Sequence, residues 1–255
     1  MTIADKMNDY QILKKRQPLS IEQKDDFYSV YYGYSGEQSF AELLPAVSIV
    51  RDLHVRSISK GLAQFDIIVV HDQTVTHYDI KNYKGQFTVQ NHGLTNQYGK
   101  YFKNPDDQLD RAHYILEEYV RRFNPHYQVE SYVVFINEGF HFSGDNRNPK
   151  WLFRSMLSSH LQQYADERFM AFENAALCHY LQGVASPPLN INPIQRSPFN
   201  MNMKGLRCNC GTYISEQLYG KKKTYCPVCE QLYTTRKVVF NNSLELYIKR
   251  YCIFD

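Results

Sequence analysis

The 255-residue chain contains no run of 18 apolar residues, so no membrane-spanning helix is expected. Its opening stretch, MTIADKMNDYQILKKRQP, lacks the apolar centre of a secretion signal. No Gly-x-x-x-x-Gly-Lys-Ser/Thr loop is present, so nothing points to ATP-driven chemistry. Cysteine is scarce, at six residues, and four of these fall in two close pairs rather than in the dispersed pattern of a disulfide framework. Together these features predict a reducing, cytoplasmic compartment. Tryptophan occurs once, and Trp151 reads as core. Neither sign of charge dominates, and a net charge of +3 does not by itself demand a nucleic-acid partner. The composition, 43% apolar and 22% charged, is that of a globular chain long enough to bury a proper core. The 21 tyrosines suit stacking on bases, and they suit core and surface filling equally well.

What is present begins with two runs rich in β-branched and aromatic residues, Gln64 to Val70 and Thr74 to Lys81. Only His71-Asp72-Gln73 separates them, which predicts a β-hairpin. Side chains alternate along a strand, so Asp79 and Lys81 share a face. A hairpin folded about Asp72 would set Asp66 opposite Tyr78, one residue from Asp79. Two carboxylates and an ammonium can then converge, an arrangement that can hold a divalent metal and orient a water for attack on a phosphate. Asp79 and Lys81 alone would also suit a solvated face. Asp66 adds weight because it interrupts an apolar run, where a carboxylate needs a partner or a cation. His77 shares the strand face of Asp79, and it reads either as a structural histidine or as a contact to the site.

Helical spacing of Phe40, Leu43 and Leu44 after Gly36, closed by Pro45, predicts a helix with Glu37 in its first turn. A strand is expected over Ala46–Leu53, an amphipathic helix over Gln108–Phe123 and a buried strand over Val129–Ile136. Residues 151–183 again carry helical spacing. The order helix, three strands, helix, strand predicts a mixed α/β fold, a mixed sheet flanked by helices. The Pro- and Asn-rich stretch 184–203 reads as a linker. The organisation expected is a core over 1–183, the linker 184–203 and a small module over 204–255. From Asn200 onward nine Lys/Arg face four Asp/Glu, a net of +5, which makes the last module a candidate phosphate-binding surface.

The succession Gly36-Glu37, Gln64-Phe65-Asp66, Asp79-Ile80-Lys81-Asn82-Tyr83-Lys84-Gly85 and Asn104-Pro105-x-x-Gln108 resembles the NERD (nuclease-related) domain of the PD-(D/E)XK nuclease superfamily. The resemblance covers roughly residues 30–137 and implies a restriction-endonuclease-like fold and metal-dependent phosphodiester hydrolysis, with DNA as substrate. It implies Asp66 and Asp79 as ligands of Mg²⁺ or Mn²⁺ and Lys81 as the group that helps activate water and steadies developing charge. Glu37 would add a carboxylate, and Gln108 would position the backbone or the water. Many relatives carry Glu where this chain has Asp79, which shortens the reach to the metal. Related folds also include inactive members, so an inactive nucleic-acid-binding scaffold is the alternative. A protein-interaction module, with a protein partner or a second copy of the chain, is a third reading.

Cys208-Asn209-Cys210-Gly211 and Cys226-Pro227-Val228-Cys229 form two pairs separated by a short segment. That spacing suits a four-thiolate tetrahedral Zn²⁺ site of structural kind, with no open position for water. The extended residues around the pairs predict a zinc ribbon, and Lys221-Lys222-Lys223 lies in the expected loop between them. Cys178 and Cys252 have no partner at ligand spacing and read as small apolar residues.

Overall fold

A computed structural model describes residues 3–90, 93–144, 148–165, 171–187 and 205–248. The chain runs α1 (Ile3–Arg16), α2 (Ile21–Ala41), β1 (Ser48–Ser57), β2 (Gly61–His71), β3 (Thr74–Lys81), β4 (Gly85–Gln90), β5 (Gly93–Asn96) and β6 (Tyr101–Lys103). Then come α3 (Pro105–Phe123), β7 (Gln128–Phe135), β8 (Phe140–Ser143), β9 (Trp151–Phe153), α4 (Leu157–Leu161) and α5 (Ala171–Gly183). The C-terminal part holds α6 (Ser215–Leu218), β10 (Lys223–Tyr225), β11 (Leu232–Thr234) and α7 (Thr235–Ile248). Among the described residues no helix is long and apolar enough to cross a membrane.

The chain divides into two compact units, Tyr32–Asn190 and a second made of Met1–Tyr31 with Ile191–Asp255. The first is a mixed α/β domain. Its main sheet has the order β1-β2-β3-β7-β9, antiparallel from β1 to β3 and parallel from β3 to β9. One face buries Phe65, Ile68 and Val75 against Ala112, Ile115 and Leu116 of α3 and Leu177 and Leu181 of α5. The other buries Ile67, Val69, Tyr78 and Ile80 against Phe40 of α2 and Leu157 and Leu161 of α4. A second, four-stranded sheet of order β6-β5-β4-β8 packs Phe87, Leu94 and Phe140 on Val133, Phe135 and Trp151. From sequence, Gly85 to Val89 reads as one further short extended piece; the structure builds a four-stranded sheet around it. Trp151 to Phe153 form a strand beside β7 and not the start of a helix. The pairing with buried β7 overrides their helical spacing.

The second unit places residues 1–31 with the C-terminal module, whereas the sequence reading assigns them to the core. The physical reason lies in charged and polar contacts from α1. Lys15 pairs with Glu245 at 2.8 Å, and the buried Arg16 donates to Asn242 at 3.1 Å. Lys6 pairs with Asp26 at 2.8 Å, which ties α1 to α2 within the same unit. Asn242 also accepts from the Arg207 backbone N–H and donates back to the Arg207 carbonyl. The expected linker 184–203 lies outside the described residues from Pro188 onward, as does Cys252.

Candidate active site and cysteine centre

The β2–β3 hairpin closes through a two-residue turn, Asp72-Gln73, with His71 paired to Thr74. Asp72 adopts a positive φ of 49°, a conformation that Asp tolerates better than most residues. The register runs Ile67↔Tyr78, one residue away from the sequence expectation, so Asp66 comes opposite Asp79 and not Tyr78. On the other side of β2, Arg51 pairs with Ile67 and Leu53 with Phe65, which sets Asp52 opposite Asp66. Three aspartates therefore stand in a row across β1, β2 and β3.

The regular sheet is disturbed along that row. Phe65 and Ile68, three residues apart, both face α3 and α5, and Val50 and Leu53 do the same on β1. Strict alternation would send them to opposite faces. Asp52 takes a positive φ of 48°, and the β2–β3 ladder stops at Ile67↔Tyr78. Beyond that point the Ile80 N–H donates to Asp66 Oδ2 at 2.8 Å, so the carboxylate takes the place of a ladder acceptor.

Asp79 is buried, at 3% exposure, and the Lys81 Nζ lies 2.9 Å from its Oδ1 and 2.8 Å from its Oδ2. Gln108 donates to Asp79 Oδ1 at 3.3 Å and accepts from Lys81 Nζ at 3.4 Å. The first turn of α3 delivers Gln108. Asn104 caps that helix by accepting from the Asp106 N–H at 3.1 Å, and Pro105 follows at the position where no amide is needed. Trp151 donates to Asp106, which fixes the same turn from the β9 side.

Glu37 arrives from the opposite face. It sits near the C-terminal end of α2 and not in a first turn, because the helix begins at Ile21. Gly36 is an interior helical residue rather than a helix start. A Cβ there would come within 2.8 Å of Asn82 Cβ, so only glycine lets α2 lie this close to the end of β3. Asn82 donates to the Tyr32 carbonyl at 2.9 Å and accepts from Asn137 at 2.8 Å, which clamps the helix in place.

The electrostatics follow from this crowding of acids. Burial and the neighbouring Asp66 and Asp52 charges push the Glu37 carboxyl up to about 8. Burial and the Asp79 charge push Asp66 up to about 7, against the opposing pull of Lys81 and the Ile80 amide. Burial opposes the charge on Lys81, but Asp79 and Asp66 outweigh it and hold the ammonium above its ordinary value. Burial brings His77 down to about 4, and both its ring nitrogens lack hydrogen-bond partners among the described residues. His77 packs edge-on against Phe65 and is a neutral core residue.

Asp66, Asp79, Lys81 and Gln108 thus meet around one point, and Glu37 joins them through its field. Glu37, Asp66 and Asp79 do not close as a trio to mutual ligand spacing. Among the described residues, the four cysteines are the only group of three or more His, Cys, Asp or Glu whose ligand atoms all lie within 4.8 Å of one another. Asp52 was missed by the sequence reading, which ended its strand at Leu53. The three-residue step from Val50 to Leu53 was the available signal of a disturbed strand.

In the second unit, Cys208 Sγ lies 3.4 Å from Cys229 Sγ, and Cys210 Sγ lies 3.6 Å from Cys226 Sγ. Thiolates about 2.3 Å from a shared tetrahedral ion stand roughly 3.8 Å apart, so this donor set fits one metal ion. Two tight turns present the sulfurs. Gly211 (φ 92°) follows the first pair and Glu230 (φ 57°) the second. A β10–β11 hairpin carries the second pair, and Ile214, Leu218 and Val238 pack beneath the sulfurs.

Comparison with known proteins adds three findings. No curated protein matches the chain in sequence. Among solved structures, the small subunit of a heterodimeric restriction endonuclease is similar to this chain, with 11% identity and a TM-score of 0.25. That likeness is distant and covers 72% of this chain and all of the other. The nuclease-related domain family (NERD) matches residues 32–136, a span that starts where the mixed α/β unit starts and contains Glu37, Asp52, Asp66, Asp79, Lys81 and Gln108. Residues 32–136 are therefore a nuclease-related domain.

Proposed function

We propose that this protein is a metal-dependent nuclease that hydrolyses phosphodiester bonds in DNA. The observation that carries the reading is the meeting of Asp66, Asp79 and Lys81 where β2 and β3 part, inside the nuclease-related domain. The donor set is all oxygen, and burial together with neighbouring acids pushes the carboxyls of Glu37 and Asp66 up to about 8 and about 7, a repulsion that a cation would relieve. Such a site favours a hard divalent cation, Mg²⁺ or Mn²⁺, held by Asp66 and Asp79. When bound, the cation supplies charge neutralisation at the phosphate and a more acidic water. The chain's own groups do the rest. Lys81 keeps its charge and offers N–H donors to an oxygen that becomes more negative in the transition state. Gln108 holds Lys81 and Asp79 in register. Glu37, pushed up to about 8 without a cation, would add a further carboxylate to the site once one is bound, directly or through a water.

The four-cysteine centre is read as a structural Zn²⁺ site, closed by four protein ligands. The basic module around it, with exposed Lys221, Lys222 and Lys223, would grip phosphates and hold nucleic acid near the nuclease-related domain. A reducing cytoplasm, which keeps the sulfurs as thiolates, completes the reading.

Incubation of supercoiled plasmid with the protein and millimolar Mg²⁺ tests it. Cleavage by the wild type is expected, with a loss of about a hundredfold or more in each of Asp66→Asn, Asp79→Asn and Lys81→Ala. Equal cleavage by all four proteins would remove the catalytic assignment. Tight DNA binding without cleavage by any of them would leave a non-catalytic binding protein.

A further inference from the structure

The outward face of the smaller sheet carries an unusual set of side chains. Register places Gln86 and Thr88 of β4, Thr95 of β5, Tyr101 and Lys103 of β6, and His141 of β8 on one side. Phe87, Leu94 and Phe102 face the core on the other. None of the outward residues is acidic. From Tyr83 to Asn104 the chain holds Lys84, Lys100 and Lys103 and no Asp or Glu, although the whole sequence has 26 acids. All three lysines are exposed.

Aromatic rings stand among these cations. Tyr98 is 84% exposed and Tyr101 is 53% exposed. Tyr101 is also held in place. A Cβ on Gly93 would come within 2.5 Å of its ring, so the ring lies across bare backbone and a side chain there would displace it. The turn that bears Tyr98 is preorganised, because Asn96 Oδ1 accepts from the N–H groups of both Tyr98 (3.0 Å) and Lys100 (2.9 Å). Gly99 closes the turn with φ 78°.

The position of this face relative to the candidate site gives it meaning. β4 leaves the main sheet directly after Lys81, and β6 leads through Asn104 into the helical turn that bears Gln108. The Tyr98 turn lies at the β4 end nearest Lys81, since the Gln97 N–H donates to the Gln86 carbonyl at 2.9 Å. Tyr83 bridges the two. Its ring stacks on Phe87 at 5.4 Å and lies 4.9 Å from Phe102, and its hydroxyl senses the charges of Lys81 and Asp79.

We propose that this face binds single-stranded nucleic acid next to the scissile phosphate, with bases stacked on Tyr101 and Tyr98 and phosphates met by Lys103 on the face and Lys84 at its edge. The inference rests on the nuclease reading for its substrate, but its test does not need cleavage. A stacked base requires an accessible π-face, which a strand offers and an intact duplex hides. The described stretch from Tyr83 to Asn104, with exposed lysines and no acid, complements a phosphate chain.

The test is fluorescence anisotropy with a labelled oligonucleotide, single-stranded or as a blunt duplex, titrated with the full chain in its zinc-loaded form without Mg²⁺. Tyr101→Ala is expected to weaken single-strand binding about tenfold or more, with Tyr101→Phe close to wild type. Lys84→Ala with Lys103→Ala should reduce the salt dependence of that binding by about 0.7 in log–log slope per lost phosphate contact. Tyr98→Ala, on an exposed turn, gives a second reading should Tyr101→Ala fail to fold. Unchanged single-strand affinity in the tyrosine variants overturns the proposal, and so does a preference for duplex that Tyr101→Ala lowers equally. Absence of cleavage with intact Tyr101-dependent binding would overturn the nuclease reading and leave this surface standing.

Discussion

Glu37 and Asp66 are carboxyls that hold protons about as tightly as phosphate buffer does, at about 8 and about 7. Free carboxyls ionise near 4, so the unfolded chain releases these protons first. A group whose pKa is raised on folding stabilises the fold at low pH and loses that contribution as pH rises through the raised value. Without added Mg²⁺, the stability these two carboxyls contribute is therefore lost between about pH 4 and about pH 8, and the melting temperature is expected to fall most clearly from about pH 6.5 to about pH 8 and to level off above; added Mg²⁺ should largely abolish the fall. Glu37→Gln should flatten the slope, and a slope unchanged in that variant would contradict the assignment. His77 acts in the opposite window. Its pKa is lowered to about 4, so stability is full above about pH 6.5 and declines as pH falls toward 4, by about 3 kcal/mol. His77→Phe should remove most of that acid-side loss in a pH series of denaturant melts.

Helix α2 shows what the sequence reveals of an element and what it hides. Gly36 looks like punctuation in the sequence, and a glycine before an apolar run ordinarily starts a helix or a loop. In the structure it is a contact residue in mid-helix, facing Asn82. Gly33, one turn earlier, has nothing within 4 Å of its Cβ position. The two glycines should thus respond oppositely to substitution. Gly33→Ala should stabilise by about 0.5–1 kcal/mol through helix propensity alone. Gly36→Val should destabilise by about 1–3 kcal/mol through overpacking and should displace Glu37 from the acid cluster. Thermal melts of the pair check this, and matching effects would contradict it. The hairpin was legible from composition, and its register was missed by one residue. Alternation fixes which residues share a face but leaves open whether two or three residues make the turn. Asp52 stayed hidden because its significance comes from a neighbouring strand.

Across the whole molecule, the mixed α/β domain and the paired cysteines were legible, since each is written in local spacing. The grouping of residues 1–31 with the C-terminal module was not. It depends on Lys15 and Arg16 meeting Asn242 and Glu245, more than 200 positions away, and no periodicity records such a meeting. The buried Arg16 makes this docking costly to lose, because removal of its partners would strand a charge. Metal removal should therefore reach beyond the cysteines. Elemental analysis should find one zinc per chain, and Cys226→Ala should lose it together with the cooperative melting of this unit. A melting curve unchanged in Cys226→Ala would contradict a structural role. Lys221→Ala, Lys222→Ala and Lys223→Ala combined should leave the fold intact and lower the salt dependence of DNA binding, which a salt series of binding isotherms reads.

The central claim is that Asp66 and Asp79 share one hard cation. Titration of the zinc-loaded protein with Mn²⁺, followed by electron paramagnetic resonance of the free ion, tests it most directly. The account predicts a bound Mn²⁺ that wild type holds and that Asp66→Asn and Asp79→Asn each lose, while Cys178→Ser keeps it. Failure of wild type to take up Mn²⁺, or undiminished uptake by both asparagine variants, would contradict it.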